Sequence, residues 1–316
     1  MILNIQYLRA FAAINVVFLH VLIGAESYNR PAGILSFFGN WGANGVDIFF
    51  VISGFVMIYT QINNPKNILT FYKSRLIRIV PIYWIITAFI IFLYFIFPEI
   101  FKSLKIDIYR AVSSFLFLSQ PTNNGYPIIN IGWTLEWEML FYFIFGLSIY
   151  FKKIEKVIFC VLIMMIMIFT FTRTLFFLEF LIGVLIGYIH HKFKLSHLKG
   201  GLIFIVGFFL LFLSLNNQLQ LTYDRLFIWG LPASLIVFGA VYTKSFKNKL
   251  LHYLGNASYS IYLVQILTVP GFYKLISYLQ IKFQNDILSL ICLILSITFG
   301  CFFHTYVEKK IKFGKR

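Results

Sequence analysis

"YLRAFAAINVVFLHVLIG", Tyr7 to Gly24, reads as a membrane span that nevertheless carries an arginine, Arg9, and a histidine, His20. Eleven helical residues at about 100° each turn through roughly 1100°, so the two side chains point within about 20° of one another, about 16 Å apart along the axis. They share one stripe of one helix. The N-terminus lacks the positive cluster and small-residue cleavage site of a secretion signal, so this run reads as a retained helix.

The rest of the chain is equally apolar. Of 316 residues, 60% are hydrophobic and 12% charged, with 39 Phe and 19 Tyr, and long apolar runs recur to the end. This composition specifies an all-α polytopic membrane protein, and no period-2 alternation supports a transmembrane barrel. Hydropathy places about ten transmembrane helices, at 5–24, 43–61, 79–97, 138–151, 156–171, 174–190, 201–215, 226–243, 257–277 and 287–307. Within the longest connection, from Pro98 to Trp137, residues 108–118 read as a helix lying in or dipping into the membrane. No low-complexity linker divides the chain, so residues 1–316 read as a single transmembrane domain with no appended extracytoplasmic domain. The three cysteines, Cys160, Cys292 and Cys301, fall inside apolar runs without metal-ligand spacing and read as packing residues.

Orientation follows from the basic residues. With the N-terminus cytoplasmic, the inner connections gather the Lys and Arg of 66–78, 152–156, 192–199, 244–249 and 309–316. The outer side collects only Arg30, Lys102, Lys105, Arg110, Arg173, Arg225, Lys274 and Lys282. This bias puts both termini in the cytoplasm of a multi-pass protein of the cell (inner or plasma) membrane. The net charge of +16 is then mostly a topology signal, and no nucleic-acid partner is implied.

Several ionisable groups lie at depths where lipid does not welcome them. Two readings of Arg9 are open: it snorkels to headgroups, or it serves a ligand. His20 faces the bundle interior, as a hydrogen-bonded packing residue or as a functional group. In "FYKSRLIRIVPIYW", Arg75 and Arg78 stand at i and i+3 on one face, with Pro81, Tyr83 and Trp84 beyond. They are either ordinary inner-end cations or, with Arg9, the walls of a basic mouth suited to a phosphate-bearing ligand. "NIGWTLEWEMLFYF" puts Glu136 and Glu138 at the outer, N-terminal end of a helix, where the dipole favours carboxylates; being two apart, only one is expected to point inward. Asp47 in "GVDIFFVISGF" is a cap or a buried partner. "HHKFKLSH" holds His190, His191 and His197 without a matching acidic or cysteine ligand, so no metal site is expected. "NASYS" reads as polar glue between helices.

The Arg9 and His20 pair, "GVDIFFVISGF", "RLIRIVPIYW", "GWTLEWEMLFY" and the late "LGNASYSIYLVQ" together resemble, in that order, the signature stretches of the acyltransferase family 3 membrane proteins. The resemblance covers essentially the whole chain. It implies transfer of acyl groups, usually acetyl and sometimes succinyl, from cytoplasmic acyl-coenzyme A to sugars of surface polysaccharides. The "WTLEWE" form most resembles the exopolysaccharide-modifying branch. His20 then matches the family's catalytic histidine, Arg9 its paired arginine, Arg75 and Arg78 the arginines of the acyl-donor site, and Glu138 the glutamate of the tryptophan motif. Glu136 falls on a variable position. Gln265 stands where many members have His, and it cannot shuttle a proton near neutral pH. The tail "YVEKKIKF" keeps Glu308 but has Lys310 where proline is common, and His304 is not expected to substitute for the missing histidine.

The expected activity is therefore that of an O-acyltransferase, most simply an O-acetyltransferase, with acyl-CoA as co-substrate and no permanently bound cofactor. Its acceptor is a glycan or lipid-linked saccharide. Arg9, Arg75 and Arg78 bind the donor phosphates, and His20 acts as general base or acyl carrier. Glu138 orients the histidine, with Asp47, Tyr83 and Glu136 as supporting residues and Tyr83 as a donor to the thioester oxyanion. The alternatives are a flippase for a lipid-linked sugar, disfavoured by the lack of a repeat between halves, and an acyltransferase acting on a lipid or small molecule. Nothing in the sequence indicates the oligomeric state.

Overall fold

The computed structural model describes residues 2–101, 104–122, 125–172, 175–215 and 224–313. Lys102, Arg173, Lys315 and Arg316, counted above in the charge bias, lie outside them. The chain folds as helices: α1 Leu3–Ser27, α2 Asn44–Asn63, α3 Ile68–Ile96, α4 Ile108–Phe115, α5 Trp133–Ser148, α6 Ile154–Thr172, α7 Phe176–Lys192, α8 His197–Leu213, α9 Leu231–Tyr242, α10 Lys249–Tyr278, α11 Asn285–Phe303 and α12 Lys309–Phe313. No strand occurs among the described residues. π-Helical turns at Leu226–Gly230 and His304–Glu308 lead into α9 and α12.

Among the described residues, five helical segments are long and apolar enough to cross a bilayer: Leu3–Ser27, Trp41–Asn63, Ile68–Ile96, Lys249–Tyr278 and Asn285–Ile311. The protein is an all-helical membrane protein. Buried fractions rank these segments: 67% of the apolar windows of α1 and α2 is covered by protein, against 33% for α3 and for the last segment. α1 and α2 are thus the central posts, and the latter two present Phe, Leu and Ile outward, as lipid would require.

Lipid gives helices no hydrophobic reason to associate, so close backbone approach has to supply the contact energy. α2 and α7 cross at glycines: a β-carbon on Gly54 would strike the Phe180 carbonyl, and one on Gly183 the Val51 carbonyl. α1 meets α2 where Gly45 lies on the Ala12 carbonyl, and α10 where Gly255 lies on that of Gln6. Asn15 Nδ2 donates to Asn44 Oδ1 at 3.0 Å across the α1–α2 seam, satisfying amides that lipid would leave unpaired.

α3, α5 and α10 start ahead of the spans that hydropathy places at 79, 138 and 257. α3 begins at Ile68 rather than 79 because Asn67 Oδ1 accepts from Thr70 N at 2.8 Å, an N-cap upstream of the charged turn. Arg75 and Arg78 therefore stand within the helix, which extends ahead of the span expected at 79–97. α5 starts at Trp133, which puts Glu138 in its second turn. α10 starts at Lys249, capped by Asn248 Oδ1 accepting from Leu251 N at 2.9 Å. The helix expected at 108–118 ends at Phe115, and Phe117 turns the chain with φ 59°.

Candidate active site

Five helices leave a narrow cavity between them, with about 70 Å³ of free space, on the order of two water molecules. α1 contributes Arg9, α2 Phe49 and Ser53, α3 Arg78, α5 Thr134, Glu138 and Tyr142, and α10 Ser258, Tyr259 and Tyr262. Each of the five sequence motifs supplies one wall.

The carboxylate is held from two sides. Ser53 Oγ donates to Glu138 Oε1 at 2.5 Å, and Tyr142 OH donates to the same oxygen at 2.5 Å. These bonds fix its rotamer. Tyr142 also lies under Arg75, whose guanidinium carbon is 5.7 Å from that ring and 5.6 Å from Phe71. Such stacking allows a guanidinium to stay charged while only 8% exposed. Arg9, 9% exposed, has Gln6 Oε1 at 3.4 Å and lies within electrostatic range of Arg78, Glu138 and Glu308. Among the described residues Arg9, Arg75 and Arg78 make no salt bridge within 4.0 Å. The cavity thus carries surplus positive charge in a low-dielectric interior, a setting that favours an anion or a developing oxyanion.

Hydrogen bonds hold two tyrosines of α10 in place. Tyr262 OH donates to Ile131 O at 2.7 Å and lies 2.7 Å from Thr134 Oγ1, while Tyr259 OH donates to Ile79 O at 2.7 Å, two residues before Pro81. Ser258, expected only as glue, lines the cavity, and its buried Oγ has no partner among the described residues.

His20 is half-buried on α1 and is not part of the cavity wall. Its Nδ1 lies 2.8 Å from Val16 O. A carbonyl only accepts, so Nδ1 carries the proton, and in the neutral ring Nε2 keeps the lone pair a general base needs. The expected orientation of this histidine by Glu138 does not form, because Ser53 and Tyr142 hold that carboxylate and Val16 O already fixes the ring. Gln265 is fully buried with neither amide atom bonded among the described residues.

The supporting residues sit elsewhere. Asp47 is a buried partner rather than a cap: Arg225 Nε and Nη2 donate to its two oxygens at 2.9 and 2.8 Å. Arg225 stacks on Trp229 and Phe176 at 5.0 and 5.5 Å, and the fully buried Glu179 lies beside the pair. Glu136 also turns inward, so both glutamates of the tryptophan motif face protein and the expectation of one is corrected. Glu136 is fully buried and its Oε2 accepts from Gln120 N at 2.6 Å in the loop that wraps α5. Tyr83 is buried against Phe117, ring centroids 4.6 Å apart, near Glu136 and away from the cavity wall, where it does not serve the expected oxyanion role.

Two clusters escaped the sequence reading. The sequence reading counts Arg225 only as an outer-side charge and does not single out Glu179. His304 Nδ1 lies 2.6 Å from Glu308 Oε2, which also accepts from Ser260 Oγ at 2.6 Å. The i, i+4 spacing of His304 and Glu308 was the available signal. No group of three or more metal-ligating side chains occurs among the described residues; His190 packs on Tyr242 and His197 Nδ1 lies 2.6 Å from Tyr242 O.

A family profile described as "Acyltransferase domain" matches residues 2–306. The chain is also 31% identical, over 246 residues covering 70% of this chain and 75% of the relative, to the exopolysaccharide production protein ExoZ of Rhizobium meliloti (strain 1021). No solved structure matches. With nearly the whole chain inside the matched region and its cavity walled by the motifs that carry the likeness, the chain belongs to acyltransferase family 3.

Proposed function

We propose that this acyltransferase is a membrane-embedded O-acyltransferase that moves an acyl group, acetyl in the simplest case, from cytoplasmic acyl-CoA to a sugar hydroxyl of a cell-surface polysaccharide or its lipid-linked precursor. The observation that carries the reading is the convergence of Arg9, Arg78 and Glu138, from three separate helices, on one small interior cavity. The name of the Rhizobium relative supports the acceptor class.

In this reading the ten apolar helices span the membrane with both termini cytoplasmic, in the inner or plasma membrane. The thioester enters from the side of Arg75 and Arg78, and the acceptor approaches from the opposite face, near His20. Neutral His20 takes the acceptor O–H proton at Nε2 while the sugar oxygen attacks the thioester carbonyl. The C–S bond then breaks, the ester forms, and the thiolate takes the proton as free coenzyme A. Where the ring itself attacks, Nε2 holds the acyl group before the sugar removes it. Arg9 and Arg78 offer positive charge to the incoming donor, and Glu138 fixes Tyr142 beside them.

Comparing surface polysaccharide from cells with and without this protein tests the reading. One class of O-acyl ester should disappear in its absence while the sugar backbone persists. An unchanged ester pattern contradicts the proposal, and loss of the whole polymer from the surface favours a flippase.

A further inference from the structure

A cavity of about 70 Å³ has room for a thioester carbonyl and not for a nucleotide. The donor's nucleotide then needs room beyond that cavity, and Arg75 is buried against two rings. A much larger groove, about 860 Å³, opens where the α2–α3 loop meets the α5–α6 turn. That volume lies within the range of about 300 to 1,000 Å³ typical of small-ligand sites. Resting on the acyl-CoA reading above, we infer that this groove holds the phosphorylated adenosine end of the donor, with Lys66 and Lys152 on its phosphates and Tyr150 and Phe151 against its base.

The lining has the matching chemistry. It includes two lysines and no acidic residue. Lys66 sits in a preset loop, since Gln61 Nε2 donates to Lys66 O at 3.0 Å and Lys66 N donates to Gln61 Oε1 at 3.2 Å. Partial burial and the Arg75 charge both push its ammonium below the ordinary lysine range. Ile68 and Leu69, also in the lining, open a helix of 29 residues whose first amides have no intrahelical acceptor, so its dipole adds to the attraction for phosphate. Opposite them Lys152 holds φ 58°, a left-handed conformation rare for a long side chain and kept by its N–H to Ile149 O at 3.1 Å. Tyr150, 74% exposed, offers a free ring face for a base.

The groove also leads to the site. Along α3, ten residues separate Ile68 from Arg78, a rise of about 15 Å. Lys66, Arg75 and Arg78 form a run of positive charge along it. The donor's flexible arm would follow this run, leaving its thioester in the cavity.

The test uses the full chain in nanodiscs of neutral lipid. Wild type should bind adenosine 3′,5′-bisphosphate in calorimetry, and K66A and K152A should weaken that binding about tenfold or more. With acetyl-CoA, both variants should raise KM by a similar factor at unchanged kcat. With the acetyl thioester of N-acetylcysteamine, which lacks the nucleotide, they should match wild type. Unchanged binding and KM overturn the groove assignment, as does equal loss with both donors, which marks a structural role. If the variants respond only to added anionic phospholipid, the occupant is a headgroup and the inference fails. Binding of the bisphosphate without any acyl transfer would leave the groove standing and sink the acyltransfer reading, whereas transfer without binding would do the reverse.

Discussion

Ser53 on α2 and Tyr142 on α5 both donate to one oxygen of Glu138, Oε1, each at 2.5 Å. This arrangement fixes a carboxylate near two arginines with which, among the described residues, it makes no salt bridge within 4.0 Å, so Arg9 and Arg78 remain available to an incoming group.

Removing one donor should loosen the carboxylate without emptying the site. A hydrogen bond to a charged group contributes about 1.5 to 3 kcal/mol, so S53A and Y142F should each lower kcat/KM by roughly ten- to a hundredfold. E138Q, which loses the charge itself, should cost more than either. Steady-state kinetics with normal expression and thermal stability check this, and wild-type kinetics for E138Q would remove Glu138 from the account.

His20 allows a sharper separation of roles. Asn in its place can still donate to Val16 O but has no basic nitrogen. H20N should therefore insert and melt like wild type while losing on the order of 10² to 10⁴ in kcat, the usual worth of a general base. Donor binding should be unaffected, since His20 is distant from the basic run.

Arg225 and Asp47 form a buried pair with Glu179 beside it. R225A strands two buried acidic groups and should cost about 3 to 5 kcal/mol, read as lost folded protein in fluorescence-detected size exclusion. D47A/R225A should lose clearly less than the sum of the single variants. Strict additivity would mean that the pair is not coupled.

The α2–α7 crossing has no room for a side chain. G54V and G183V should each destabilise by more than about 3 kcal/mol, beyond ordinary overpacking, because the obstacle is backbone. G201V, at a glycine with open space around it, is the control and should be nearly silent.

Much of this was legible in the sequence, for identifiable reasons. Ionisable residues in apolar runs are costly, so Arg9, Arg78 and Glu138 stood out, and helical spacing put Arg9 and His20 on one stripe. Asp47 could not name its partner, because Arg225 is 178 residues away and looked like a loop charge. Glu179, in "LFFLEFLIG", is not singled out by the sequence reading and is fully buried. The two glutamates of the tryptophan motif do point different ways, as their spacing requires. Both directions are interior because the loop at 117–120 closes over α5, a long-range fact no local pattern carries. The early start of α3 was hidden for a related reason: cations usually mark a membrane boundary, whereas here aromatic rings draw Arg75 into the bundle.

The most direct test of the central claim is acceptor-dependent release of coenzyme A. Purified protein in nanodiscs, given acetyl-CoA with a radiolabelled acetyl group and the de-esterified surface polysaccharide, should liberate free coenzyme A and transfer label to the polymer in equal amounts, with both signals lost in H20N. Label transfer at the wild-type rate by a well-folded H20N, or no coenzyme A release with any glycan acceptor, would contradict it.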